Sequence, residues 1–396
     1  MRCQAWGVAI LNKGSNHVGF VHLLTLLTLW LTIYCIVVNK RNRRMANLFV
    51  LLIVVVICCL KTKSLILFYV FFEMRILPVA LIIYLYGYQP EKLQATLFLI
   101  LYTVGRSLPL LLAILIRSFD LTASTFIALP VTLAFIVKTP IYLLHTWLPK
   151  AHVEAPVGGS IVLAGVLLKL GSYGLLIFLP FVKLNPLLTF YYSLRLLGSL
   201  ACALTCTRQG DLKLLIAYSS VVHIGVVSIG FISGTELGYT CGTWIVLAHG
   251  LCSPFLFCYA YCLYLNTHSR IMINNTSSSP FHSTLLLILV SMNMGLPPRL
   301  GLWSEVFMAM RSVFLLNYSW WLLLFLFFFA TLYNLHLYTS IVHCKYTITP
   351  TLIESHLFYP NVQVIFFSYS SFFCLDLLHP YSLFFLFKTS SIKWDK

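Results

Sequence analysis

Charge is what this chain has least of. Asp, Glu, Lys and Arg make up 9% of its 396 residues, and only ten of them are acidic. A soluble protein carries about 25% charged residues, so a folded chain of this composition could not cover its own surface in water. Also missing are a phosphate-binding glycine loop, a dinucleotide glycine motif, a nucleophile elbow and any C-x-x-C pair. The twelve cysteines lie mostly in apolar runs, as Cys58, Cys59, Cys202, Cys258 and Cys262 do, and read as small buried hydrophobes instead of a disulfide or metal framework. These absences exclude a soluble catalytic domain and predict that the chain by itself binds no cofactor or metal and does no redox chemistry. The first seventeen residues have neither a signal-peptide core nor the Arg/Ser-rich pattern of a transit peptide, which predicts that the chain is not an imported precursor.

What is present is long apolar runs. Hydrophobic residues make up 60% of the chain and the mean hydropathy is +0.92, the composition of an integral membrane protein. At roughly 20 residues per spanning helix, hydropathy places about twelve spans, near 18–38, 46–60, 64–87, 95–116, 126–144, 157–182, 185–205, 212–233, 239–265, 281–310, 312–343 and 357–387. Continuous apolar runs exclude barrel strands, and a helix satisfies its own backbone in lipid, so the expected fold is an all-α polytopic bundle. The formal charge of +16 comes from 26 Lys and Arg. They are scattered over loops, which points to the usual basic loop bias and away from nucleic acid. With the run from Lys40 to Arg44 placed inside, same-side loops carry ten bases and opposite loops five, but the tails add five more and cancel the bias.

Because acids are so few, every one can be placed. Glu91, Asp120, Glu154, Asp211, Glu236, Glu354 and Asp395 fall in loops, span ends or tails, leaving Glu73, Glu305 and Asp376 in apolar segments. The bases in such segments are Arg75, Arg106, Lys138, Lys169, Arg195 and Arg299. A charge near the bilayer centre costs on the order of 2.5–3.5 kcal/mol on insertion scales and marks ion pairs or ion paths. Glu73 follows an unbroken run of apolar and aromatic residues in LILFYVFFEMR. Burial disfavours its charged form and a nearby ammonium favours it, so a Glu facing a movable Lys can switch protonation; the alternative is a permanent pair that holds helices together. Arg75, two residues on, points away on a helix, so the partner of Glu73 must come from another span.

Lys138 stands two residues before Pro140, which favours a broken helix. A second break is expected at SMNMGLPPRLGLWSEVF, with Glu305 beyond Gly295, Pro297, Pro298 and Gly301. Two interrupted spans in corresponding halves point to repeated transporter halves, and the spacing of Lys138 to Glu305 equals that of Lys169 to His336. The plainer readings are a helix-end Lys138 reaching for the interface and a Glu305 at the interface near Trp303. Lys169 lies well inside GSIVLAGVLLKLGSYG, where nearby glycines permit close helix packing. Burial disfavours an ammonium, so such a lysine can give and take a proton. His223 and His249 each sit among apolar residues of neighbouring spans; imidazole titrates near neutrality, and both a relay and ordinary packing fit them. His22 and Asp376 read as packing or interface residues.

Several segments together resemble a known family: FFEMRILP (71–78), YGYQPEKLQA (86–95), SLPLLLAIL (107–115), KTPIYLLHTWLPKAHVEAPVGGSIVLAGVLLKLGSYG (138–174), DLKLLIAYSSVVHIGVV (211–227), AHGLCSPFLFC (248–258) and THSRIMI (267–273). They are similar to the antiporter-like membrane subunits of respiratory complex I, the NADH:ubiquinone oxidoreductase of the mitochondrial inner membrane. The resemblance, strongest over 65–340, implies two inverted repeats with broken helices. It divides the chain into an N-terminal helix and basic loop (1–45), an antiporter-like domain (46–345, with repeats near 46–182 and 185–343) and a C-terminal helix and tail (346–396). It implies that Glu73 and Lys138 form the family's Glu–Lys pair, and that Lys169, His223, His249 and Glu305 form its polar axis and exit-side acid. It further implies partnership with other membrane-arm subunits and the lipid bilayer, while NADH, FMN, iron–sulfur clusters and ubiquinone are handled by other subunits. The N-terminus looks short of helices that lie outside the repeats, and Arg75 and Arg106 depart from the family pattern beside Glu73.

Two other functions share these features: a subunit of a stand-alone cation/proton antiporter, and a membrane spacer with inert ion pairs. Replacing Lys169 by an uncharged residue is expected to leave assembly intact and depress coupled proton pumping, measured as acidification in sealed vesicles. Full pumping by an assembled complex would contradict the relay, whereas the spacer reading expects even Glu73→Gln to be harmless.

Overall fold

The structure of the chain, a computed structural model, describes residues 15–39, 42–118, 134–135, 137–142, 144–178, 186–233, 236–274, 280–296, 300–315 and 320–343. The expected last span at 357–387, Asp376, Arg299 and most of the 126–144 segment lie outside the described residues. Helices α1 (Ser15–Val38) and α2 (Arg43–Lys61) come first, followed by the pairs α3 (Leu65–Met74) with α4 (Ile76–Tyr86) and α5 (Lys92–Gly105) with α6 (Leu108–Ser118). A short α7 (Trp147–Glu154) precedes a rod made of α8 (Val157–Val162), a π-helical stretch Leu163–Leu167 and α9 (Leu168–Phe178). Then follow α10 (Pro186–Thr207), α11 (Leu212–Ile232), α12 (Glu236–Thr267), α13 (Pro280–Met294), α14 (Leu300–Leu315) and α15 (Trp320–Val342). Among the described residues there is no strand; an isolated bridge between Asp211 and Ile271 ties two loops together.

The all-α expectation therefore holds, and among the described residues eight helical stretches are long and apolar enough to cross a membrane. Their limits follow the hydropathy reading closely, for example Leu65–Tyr86 and Val157–Phe178. The structure departs from that reading at breaks. The single span expected at 281–310 is two helices, α13 and α14, with Gly295 at φ +76° after the first. Only glycine adopts that backbone without strain. The helix carrying Lys138 ends there, and residues 139–141 are not helical, as Pro140 dictates. Three interruptions were not anticipated: Arg75 between α3 and α4, Arg106 and Ser107 between α5 and α6, and the π-helical stretch. Pro78 and Pro109 explain the first two, because each lacks the N–H that the preceding turn would need.

The molecule is apolar on both its inside and its outside. On α2, Phe49, Leu52, Val56 and Cys59 are buried while Val50, Leu51 and Val54 are about half exposed. A similar outward apolar face runs along α1, α5 and α15 through Leu26, Leu101 and Phe328. In water such a surface would aggregate; against lipid tails it costs nothing. Three stretches form the interior among the described residues: in the apolar centres of Val157–Phe178, Leu212–Ile232 and Leu237–Leu265, 89% of the residues are buried, against 33% in those of Lys92–Leu115 and Trp321–Val342.

Small residues let this interior close up. A Cβ on Gly165 would stand 3.0 Å from the Pro254 ring, one on Gly225 would stand 2.8 Å from Ser199, and one on Gly174 would strike the Phe135 ring. Gly174→Leu is expected to cost about 1–3 kcal/mol through overpacking, lowering the midpoint of thermal unfolding in detergent. Gly105→Ala, where nothing lies within 4 Å, should leave it nearly unchanged.

Candidate functional site

The π-helical stretch decides where the first buried cation sits. A π turn spreads its hydrogen bonds to i+5, as Leu168 N–H to Leu163 O shows, and leaves nearby carbonyls open to other donors. The Lys169 ammonium donates to one of them, Ala164 O, and lies 2.8 Å from His249 Nδ1. His249 sits on α12 five residues before Pro254, whose ring rests on Gly165, and a Cβ on Gly250 would stand 3.4 Å from Lys169 Cε. Glycine in the bulge and proline in the facing helix thus bring lysine and histidine together.

From His249 the polar line continues across helices. The His249 and His223 rings, on α12 and α11, have centroids 5.1 Å apart and planes at 42°. On the far side His223 Nδ1 is 3.6 Å from Glu305 Oε1. Glu305 is the sixth residue of α14, beyond its first turn, and Gly295 backs directly onto it: a Cβ there would stand 2.7 Å from Glu305 Oε2. All four residues are buried. The interface alternatives considered for Glu305 and for a snorkelling Lys138 therefore give way to burial.

The second cluster is the ion pair between the Lys138 ammonium and Glu73 Oε1. As expected, the partner of Glu73 comes from another span. Glu73 Oε2 has no hydrogen-bond partner. Lys138 also lies 3.6 Å from the centre of the Phe72 ring, a cation–π contact that adds to its stabilisation in a dry site. Arg75 turns back on the same ring at 4.0 Å and donates to Phe72 O at 2.8 Å and Leu167 O at 2.9 Å. It is buried beside the pair, whereas Arg106 is exposed and stacks loosely over Tyr102 at 5.6 Å. Of the two departures noted beside Glu73, only Arg75 bears on it. His336 is exposed on α15, so its spacing to Lys169 reflects no shared site, and His22 is exposed near the start of α1.

The reading of charges named Arg195 without a role and passed over several other buried polar groups. Arg195 on α10 donates from Nη2 to Thr139 Oγ1 at 2.7 Å, just past the helix break, while its Nε and Nη1 have no hydrogen-bond partner. His152, in what hydropathy reads as a loop, is fully buried, stacks on Phe257 at 4.7 Å with planes 5° apart, and has no partner for either ring nitrogen. Asn293 Nδ2 donates to Asn334 Oδ1 at 2.8 Å near the Gly295 break. Neutral amides escape a census of charge; the signal that could have found them is a polar residue inside an apolar run. Among the described residues no three His, Cys, Asp or Glu side chains gather as a metal site.

A bundle with interrupted spans and charged groups at the breaks defines a class, the antiporter-like membrane subunits. Residues 62–333 match the family model described as the NADH:quinone oxidoreductase/Mrp antiporter transmembrane region. The fold is similar to a chain in the structure of respiratory complex I from Thermus thermophilus with bound NADH, with a TM-score of 0.77 and 24% identity, covering 88% of this chain and 78% of that one. In sequence the chain is 39% identical over 350 residues to NADH-ubiquinone oxidoreductase chain 4 of Ceratitis capitata, covering 81% of this chain and 78% of the relative. It is 35% identical over 386 residues to the same chain of Lumbricus terrestris, covering 87% and 84%. This chain belongs to the NADH-ubiquinone oxidoreductase chain 4 family.

The Gly295–Glu305 contact generates a test of the site's geometry. Gly295→Ala combines a strained positive φ with a clash on the carboxylate and should cost about 1–3 kcal/mol. In a structure of the variant, Glu305 is expected to move away from His223, beyond the present 3.6 Å; an unmoved carboxylate would refute the contact.

Proposed function

We propose that this chain is a proton-translocating membrane-arm subunit of NADH:ubiquinone oxidoreductase in the mitochondrial inner membrane, and that Glu73, Lys138, Lys169, His223, His249 and Glu305 carry the protons. Its partners are the other membrane-arm subunits, neighbouring antiporter-like chains above all, and the surrounding bilayer. It takes part in the enzyme as a subunit: NADH, FMN, iron–sulfur clusters and ubiquinone belong to other chains, and this one does no redox chemistry of its own. The two-repeat division, about 46–182 and 185–343, belongs to the same reading and sets one interrupted span in each half.

The observation that carries the proposal is the unbroken order of titratable groups on four helices, from Lys169 through His249 and His223 to Glu305. In a dry interior two adjacent cations repel strongly, so each protonation pushes on the next. With His249 Nδ1 accepting from the Lys169 ammonium, transfer of that proton leaves a neutral amine and an imidazolium. The imidazolium is attracted toward Glu305, with the His223 ring between them. Lys138 holds its own proton beside Glu73 as the second site of the relay. Reversing the sequence resets the line, and quinone reduction elsewhere in the complex supplies the drive.

A double-mutant cycle tests this. Lys169→Met and His249→Leu are each expected to lower proton pumping per electron pair severalfold in vesicles carrying the assembled complex. Residues acting in one chain couple, so the double variant should pump no worse than the poorer single one. Additive losses, or full pumping by either single variant, would sink the relay.

A further inference from the structure

Arg75 is a buried cation that the proton line does not use, and its surroundings say what it does. Its guanidinium bridges two places where the helical ladder is interrupted. Nε donates 2.8 Å to Phe72 O at the break between α3 and α4, and Nη1 donates 2.9 Å to Leu167 O at the end of the π-helical stretch. One turn carries Glu73; the other leads into Lys169. The same guanidinium lies 4.0 Å from the Phe72 ring, which also takes the Lys138 ammonium at 3.6 Å. Two cations and one carboxylate therefore crowd around a single aromatic side chain.

We infer that Arg75 is a positioning residue for proton transfer: it locks the Glu73 turn to the π-helical stretch below Lys169, and its fixed charge biases the Glu73–Lys138 pair toward release of the Lys138 proton. This rests on the relay reading above. A guanidinium suits both tasks, because it stays protonated and holds several donors in one rigid plane. Lysine could supply the charge but would not span both carbonyls with fixed geometry. The other groups that face the pair are Tyr69 on α3, Cys59 on α2 and, through Thr139, Arg195 on α10. Among these Arg195 alone carries a permanent charge, and it is held at Thr139 instead of at Phe72.

The sign follows from Coulomb's law. Removing a positive charge beside Lys138 lets the lysine keep its proton to higher pH, so the step that requires its release needs a more alkaline medium. Proton pumping per electron pair, measured from pH 6 to 9 in vesicles with the assembled complex, separates the outcomes. Arg75→Gln is expected to shift the profile to higher pH by about one unit and to lower its amplitude at neutral pH. Arg75→Lys should keep the profile in place, because the charge remains, but lose about half of the amplitude, because the bridge to Leu167 O is gone. An assembled Arg75→Gln complex with unchanged amplitude and profile overturns the inference. If that variant does not assemble, an Arg75→Lys complex that pumps at full amplitude overturns it. Glu73→Gln in the same series keeps the two readings apart: if it too pumps normally, the relay itself fails, whereas loss in Glu73→Gln with normal Arg75 variants removes the role of Arg75 alone.

Discussion

An ammonium inside a bilayer must find partners that the helical backbone does not normally offer, and the interior of this protein is arranged around that need. A regular helix spends each of its carbonyls on its own N–H groups. The π-helical stretch at Leu163–Leu167 breaks that economy in one of the three most enclosed stretches among the described residues, and two cations use the result: Lys169 takes Ala164 O and Arg75 takes Leu167 O. Gly165 lets Leu31 and the Pro254 ring close on this stretch, and Pro254 lies within α12 five residues beyond His249. Close packing at a glycine thus accompanies the meeting of a lysine and a histidine.

The same constraint explains how the helices are layered. Three of the four helices that carry the line from Lys169 to Glu305, α9, α11 and α12, are almost wholly enclosed, and helices such as α1, α2, α5 and α15 turn an apolar face outward. Because lipid is as apolar as leucine, no hydrophobic force gathers the bundle. Close packing through Gly174, Gly225 and Gly165, together with buried polar pairs such as Asn293–Asn334, does so instead. The polar line is therefore part of what holds the enclosed helices in register, and also the part able to change its state of charge.

The composition and order of residues already determined much of this. Scarcity of charge dictated a membrane bundle, because exposed charge is what solubility requires. Glu73, Lys138, Lys169 and Glu305 stood out for the same reason, since an apolar segment tolerates an ionisable group only at a cost. Pro140 and Gly295 located two breaks, one through a missing N–H and the other through its freedom at positive φ. That Glu73 would pair with another span followed from helical periodicity, which turns Arg75 away from it.

What only the tertiary structure decided is which of these groups meet. Periodicity reports a residue's own helix and is silent about the neighbour, so Arg75 and Arg106 looked alike beside Glu73, yet one is buried on Phe72 and the other faces outward. The π-helical stretch left no mark in hydropathy, because its residues are as apolar as any other turn. His152 lay in a loop by composition and is enclosed by packing against Phe257. The sequence determined that charges would be confined to a few apolar helices; the packing of those helices decided that Lys169, His249, His223 and Glu305 lie in one line, because contact between distant segments is a property of the folded chain alone.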